Sequence, residues 1–217
     1  MPLILYFLSG SPFSWKVWMA LEHAGLDYEL RRMRVDAGDL QTPEFRALNP
    51  KGKLPVLVDG DLVIAESDAI AEYLAELAAD AGTLLWPADR GNRALARRFA
   101  SAANAYVYPA ARRIMEQTLF RREGEPDNAI IAEAKGQLSS DLMLLSWSMQ
   151  GDFAGVDGPG LADFTLYPFV ALLKRIDAKM PGHDASAAIP PALLEWSKRV
   201  EALPWFEQTI PPHWQEG

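Results

Sequence analysis

Residues 53 to 68, KLPVLVDGDLVIAESD, leave the chain little choice of local structure. Val56, Leu57 and Val58 form one apolar run and Leu62, Val63 and Ile64 another; between them Asp59-Gly60-Asp61 supplies an Asp-Gly pair that tolerates the positive φ of a tight turn. Two antiparallel strands follow from that pattern. Glu66 and Ser67 then open a segment with apolar residues at Ile70, Tyr73, Leu74 and Leu77, a helical period. The first turn of this helix lies at the sheet edge with N–H groups that the helix itself leaves unpaired, an arrangement that favours a bound carboxylate.

The same reading extends outward. Leu3 to Leu8 is apolar and β-prone, Ser9-Gly10-Ser11-Pro12 breaks it, and Trp15, Val17, Trp18, Leu21 and Leu26 resume near a helical period that Gly25 ends. Tyr28 to Val35 alternates as a second strand, so the start of the chain is a βαβ unit with a right-handed crossover. Pro43 to Leu48 is a helical turn. Residues 1–80 thus form a βαβ-ββα domain, and 81–91, rich in Gly, Pro and Asp, form a linker. Beyond it strand signals vanish. The segments 92–120, 128–150, 161–178 and 191–203 are helical by composition and period, which makes 92–217 an all-helical domain. Leu161 to Leu173 has almost no polar face and reads as a central buried helix, kinked at Pro168 and too short to span a bilayer.

A net charge of −8 opposes a general role at nucleic acid or an anionic membrane, since binding phosphates needs clustered positive charge. With no positive leader before Leu3, a cytoplasmic location is expected. The complete lack of cysteine removes disulfides, thiolate metal sites and covalent catalysis by a thiol of the protein. His23, His183 and His213 show no metal-ligand spacing, and no metal is expected.

Three stretches together, SPFSWKVWMALEHAG, NPKGKLPVLVDG and ESDAIAEYL, resemble the thiol loop and first helix, the segment before the third strand, and the γ-glutamyl-binding helix start of the cytosolic glutathione transferases. Their order and spacing extend the resemblance over essentially the whole chain. It implies a thioredoxin-like first domain that binds glutathione and a helical second domain that holds a small hydrophobic electrophile, most often in a homodimer.

Carried onto this chain, the resemblance makes Leu54-Pro55 a cis-proline pair whose backbone bonds the cysteinyl part of glutathione. By the same resemblance Glu66 and Ser67 hold the γ-glutamyl ammonium and carboxylate, and Lys53, with Lys51 a weaker candidate, reaches the glutathione backbone or the glycyl carboxylate. Taken alone, Pro55 is an ordinary strand-start proline and Ser67 an ordinary helix cap. Ser11 stands where serine-type members keep the hydroxyl that stabilises the thiolate, with Tyr6 and Ser14 as the second and third candidates. Ser11 is equally a cap beside Pro12.

Gly160-Leu161-Ala162-Asp163 matches a structural capping box that lacks its hydroxyl. Tyr106 and Tyr108 are expected to line the electrophile cleft, or to be core and rim residues. The arginines 90, 93, 97, 98, 112, 113, 121 and 122 are expected to be mainly a solvated face, with steering of glutathione or subunit pairing as further roles. The expected activity is attack of a glutathione thiolate on an apolar electrophile, with reduction of hydroperoxides as an extension. Glutathione-dependent isomerisation of the zeta-class kind and a non-catalytic binding or regulatory role are the alternatives.

Overall fold

The computed structural model describes residues 2–121, 123–155 and 158–215. Arg122, named above with the arginines, lies outside them. The chain divides into two compact units, Met1–Trp86 with Pro204–Gly217, and Pro87–Leu203.

The first unit contains β1 (Leu3–Phe7), α1 (Pro12–Ala24), β2 (Tyr28–Arg32), α2 (Pro43–Leu48), β3 (Val56–Asp59), β4 (Leu62–Ala65) and α3 (Ser67–Asp80). The sheet order is β2-β1-β3-β4, with β1 parallel to β2 and antiparallel to β3, and β3 antiparallel to β4. Alternation along β1 sends Leu5 and Phe7 to one face, where Phe7 meets Trp18 of α1, and Tyr6 to the other, where its ring lies 6.2 Å from Phe45 of α2. The second strand is shorter than the alternation suggests, although Met33 N–H still donates to Phe7 C=O at 2.9 Å. Gly25 closes α1 in the left-handed conformation, φ 63°, as its position after the helix predicts.

The second unit holds α4 (Arg90–Ala102), a π-turn (Ala103–Val107), α5 (Tyr108–Gln117), α6 (Asn128–Ser148), α7 (Leu161–Lys179) and α8 (Pro191–Glu201). The single helix expected over 92–120 is interrupted because Pro109 has no N–H for the carbonyl four residues back, and the backbone widens just before it. Helix α7 is buried almost all round, with Phe164, Leu166, Val170, Leu173 and Ile176 in the core, and it continues through Pro168. Among the described residues no helix is long and apolar enough to cross a membrane.

Two boundaries differ from the sequence reading. Helix α4 already begins inside the expected linker, capped by Asp89, while Leu85 is buried and Trp86 donates through Nε1 to Glu72 at 3.2 Å, so the first half of the linker packs on the first unit. The end of the chain, including α9 (Phe206–Thr209) and α10 (Pro212–Gln215), also groups with the first unit rather than with the helices before it. Trp15 is the reason: its Nε1 donates to Thr209 Oγ1 at 3.1 Å, and its ring lies 6.3 Å from Phe206 and 5.2 Å from Trp214.

Candidate functional site

Register brings three separate segments to one end of the sheet. Val56 pairs with Tyr6 and with Ala65, so Leu54-Pro55, the loop after β1, and Glu66 are neighbours beyond that row of the sheet. Two helices, α1 and α3, also begin there, and their N-terminal N–H groups make the end electropositive.

The loop after β1 turns through a Ser11 N–H to Leu8 C=O bond of 3.1 Å. Ser11 caps α1 from an extended conformation, φ −71° and ψ 123°, and its Oγ accepts a long bond of 3.4 Å from Ser14 N–H. An acceptor bond at that length is weak. The hydroxyl proton of the half-exposed Ser11 remains available to donate outward. Ser14 has a different place: it is 1% exposed, and its Oγ accepts from Leu8 N–H at 3.2 Å, bracing the loop from within. Tyr6, packed beside Phe45 on the α2 face, is half-buried.

The Leu54-Pro55 peptide bond is cis. Among the described residues the Leu54 N–H and C=O make no hydrogen bond, so this backbone is open to a ligand extended alongside it. Asn49, to which the sequence alone assigned no role, organises the approach: its Nδ2 donates to Lys53 C=O at 2.9 Å, and its Oδ1 accepts from Lys51 N–H at 3.1 Å. The Asn-Pro-Lys-Gly order was the available signal, since Asn readily bonds its own backbone two residues on. Lys53 presents its side chain to solvent, and Lys51 Nζ lies 3.2 Å from Glu66 Oε1 in an exposed pair. Such a pair contributes about 0 to 1 kcal/mol and exchanges readily for a ligand.

Glu66 carries the least expected feature. Its φ of 69° and ψ of 114° lie where side-chain-bearing residues are rare, at a cost of about 1 to 3 kcal/mol. The Glu66 C=O accepts from Ile70 N–H at 3.0 Å, but its side chain makes no cap, so the first turn of α3 is not closed by it. Ser67 follows as the first helical residue, largely buried, and Asp68 reaches back to Lys16 of α1 at 2.5 Å. Lys16 is a buried ammonium whose pKa burial pushes down and Asp68 pushes up, while Asp68 itself is 71% exposed. The pair ties the two helix starts together, and sequence reasoning missed it because a lysine among apolar helix residues reads as a surface position.

In the second unit the two tyrosines do not share a surface. Two residues apart on a helical backbone means nearly opposite directions. Tyr106 is exposed and lines a groove of about 170 Å³ with Arg98, Val107, Leu144 and Leu145. Tyr108 is half-buried with its ring 5.3 Å from Phe169. Several arginines are engaged locally: Arg112 with Glu116 at 2.8 Å, Arg113 with Glu133 at 2.8 Å, and Arg121 with Gln117 at 2.7 Å.

Asp163 is fully buried. It accepts from Ala154 N–H at 2.8 Å, Gly160 N–H at 3.1 Å and Trp196 Nε1 at 2.7 Å. Burial pushes its carboxyl up to about 6 against the opposing pull of these donors. Gly160 contributes no hydroxyl, so the box is one-sided, as the sequence suggests. No group of three His, Asp or Glu side chains able to hold a metal occurs among the described residues.

The family model described as the glutathione S-transferase N-terminal domain matches residues 10–77. The chain is 32% identical to glutathione S-transferase 3 of Zea mays over 212 residues, 96% of this chain and 93% of that protein. It is 30% identical to a zeta-class glutathione S-transferase of Euphorbia esula over 213 residues, 96% of this chain and 90% of that one. A solved glutathione transferase from Burkholderia graminis, described with two glutathione molecules bound per subunit, superposes with a TM-score of 0.82 at 26% identity, covering 97% of this chain and 88% of that one.

Proposed function

Because the chain belongs to the glutathione S-transferase family, we propose that glutathione lies across the end of the first unit's sheet with its sulfur at Ser11. Its cysteinyl backbone pairs with Leu54, and its γ-glutamyl group meets Glu66 and Ser67. The observation that carries this reading is the convergence, through the Tyr6–Val56–Ala65 row, of a helix-capping serine, a cis Leu54-Pro55 bond and a strained Glu66. Glutathione carries two carboxylates and one ammonium. The site offers two helix N-termini, Lys51 and Lys53 for the former, and Glu66 for the latter.

Ser11 keeps its hydroxyl proton and donates a hydrogen bond through it to the thiolate, while the thiol proton leaves to solvent. A free thiol has a pKa near 8.5, and lowering it by about two units requires roughly 2.7 kcal/mol. One hydrogen bond to a charged group supplies about 1.5 to 3 kcal/mol and a helix N-terminus about 0.3 to 1 kcal/mol, so no general base is needed. The sulfur lone pair then forms the bond to the electrophilic carbon and the leaving group departs with its electron pair. Ser14 and Tyr6 are weaker donors on this reading, the one enclosed beneath the loop and the other packed beside Phe45.

We assign the electrophile to the second unit, with Tyr108 beside Phe169 the better of the two tyrosines for an apolar cosubstrate. Tyr106 and Leu144, which line one groove, and the 73% exposed Trp147 leave large apolar side chains uncovered, which supports a homodimer. Detoxification in the cytoplasm, where glutathione is kept reduced, is the role this chemistry fits.

The decisive experiment is an ultraviolet titration of bound glutathione. The wild type is expected to show thiolate absorbance with an apparent pKa about two units below that of the free tripeptide, and Ser11→Ala to return it most of the way toward the free value, the helix N-terminus keeping the remainder. Loss of the shift in Tyr6→Phe with Ser11→Ala unaffected would transfer the role to Tyr6. Isomerisation, the second reading, is favoured by the similarity to a zeta-class enzyme and is recognised by glutathione emerging unconsumed.

A further inference from the structure

We propose that His213, carried by the C-terminal end of the chain, is a positioning residue for the thiol loop, holding Ser9 so that Ser11 keeps its hydroxyl at the bound sulfur. The proposal rests on the assignment of Ser11 above and adds a residue remote in sequence.

The loop between β1 and α1 is pinned twice. Ser14 holds Leu8 from within, and Ser9 Oγ lies 2.7 Å from His213 Nδ1 on the other side. Between Ser9 and Ser11 stands Gly10 at φ +80°, a conformation glycine adopts freely. A Cβ on Gly10 would lie 2.6 Å from His213 Cε1 and 3.3 Å from Trp214 Nε1, so the imidazole and the indole rest directly against the glycine backbone. A side chain at this position is excluded both by φ and by the two rings.

The histidine is itself held. Trp214 meets Trp15 edge-on at 5.2 Å, and Trp15 Nε1 donates to Thr209 at 3.1 Å, so residues 209 to 214 are anchored to the first turn of α1, the turn that Ser11 caps. Those aromatic and hydroxyl contacts would secure the C-terminal segment without any imidazole. What sets His213 apart is a polar bond that reaches the loop itself. Without it, Gly10 gives the loop a free hinge next to the residue that must meet the sulfur. A misplacement of about 1 Å near reacting atoms costs on the order of a hundredfold in rate, so partial freedom of one loop anchor is expected to cost about tenfold.

The test uses full-length wild type, Ser9→Ala, His213→Ala, the double variant, His213→Asn and, as a packing control, Thr209→Val. Each is followed by the absorbance titration of bound glutathione and by turnover of chlorodinitrobenzene. Each single loop variant is expected to lower kcat about tenfold and to raise the apparent pKa of the bound thiol, with KM for glutathione changed less than about twofold. The double variant should be no worse than either single one, because both remove the same bond. His213→Asn, whose amide reaches the place of Nδ1, should recover most of both losses.

An unshifted bound thiol in His213→Ala, additive losses in the double variant, or an equal effect of Thr209→Val would each overturn the proposal. A wild type that binds glutathione without shifting its thiol would instead sink the Ser11 reading, and this one with it.

Discussion

Helices α3 and α7 begin in comparable ways and end up with opposite uses. Each has an aspartate in its first turn, and in each the residue at the start supplies no side-chain cap. At α7 the aspartate turns inward: Asp163 closes the start by accepting from Gly160, Ala154 and Trp196. At α3 the aspartate turns away to Lys16, the preceding Glu66 is held at positive φ, and the first turn is left open beside exposed lysines. One start is an internal joint among three elements of the second unit. The other is the part of the first unit proposed to take the γ-glutamyl carboxylate. A helix N-terminus can serve as a binding feature only where the protein leaves it unsatisfied.

Removing the closed start has the largest expected effect. Asp163→Ala leaves the N–H groups of Ala154, Gly160 and Trp196 without their acceptor and is expected to lower unfolding free energy by about 3 to 5 kcal/mol in urea denaturation. A loss below about 1 kcal/mol would show that the joint is not needed.

The same residue gives a pH signature. Its folded pKa is raised, to about 6, so the folded state keeps the proton that the unfolded chain loses near pH 4. The contribution of Asp163 to stability is therefore greatest below the unfolded value and declines as pH rises to about 6, by up to about 3 kcal/mol. The gap between wild type and Asp163→Ala should narrow across that window.

At the open start the effect should fall on binding instead. Ser67→Ala is expected to raise the dissociation constant for glutathione, measured calorimetrically, by about 10- to 100-fold, the worth of one hydrogen bond to a charged group. Unfolding should shift by less than about 1 kcal/mol. Equal losses of binding and stability would erase the contrast between the two helices.

The smallest and sharpest effect is at Glu66. Glu66→Gly relieves the positive φ and is expected to leave stability unchanged or raise it by about 1 kcal/mol while weakening glutathione binding. Glu66→Ala should weaken binding without that gain. A glycine variant that binds as tightly as wild type would remove the carboxylate from the site.

Much of this was legible in the chain. The hairpin at Asp59-Gly60, the Gly25 helix end and the shift from strand to helix periods after residue 80 all appear where expected, because each depends on residues close in sequence. The segments of the proposed site were also visible, since thiol loop, Leu54-Pro55 and Glu66-Ser67 are local motifs. Less visible were contributions that local pattern cannot carry. Asn49 and Lys16 were two letters within longer motifs, and His213 only a histidine without metal-ligand spacing. Tyr106 and Tyr108 were expected to line the cleft or to be core and rim residues, and helical geometry sends them to different neighbours.

The two kinds of secondary structure, their order and the lack of any protein thiol in the chemistry follow from residue order alone. Periodicity and residue type act over a few neighbours, and there was nothing further to decide. The tertiary structure alone decided that Glu66 would be strained, that Asp163 would be enclosed by donors from three places, and that His213 would rest on Gly10. Those outcomes depend on strand register and on packing between residues as many as two hundred positions apart, as in the Ser9–His213 bond separated by 204.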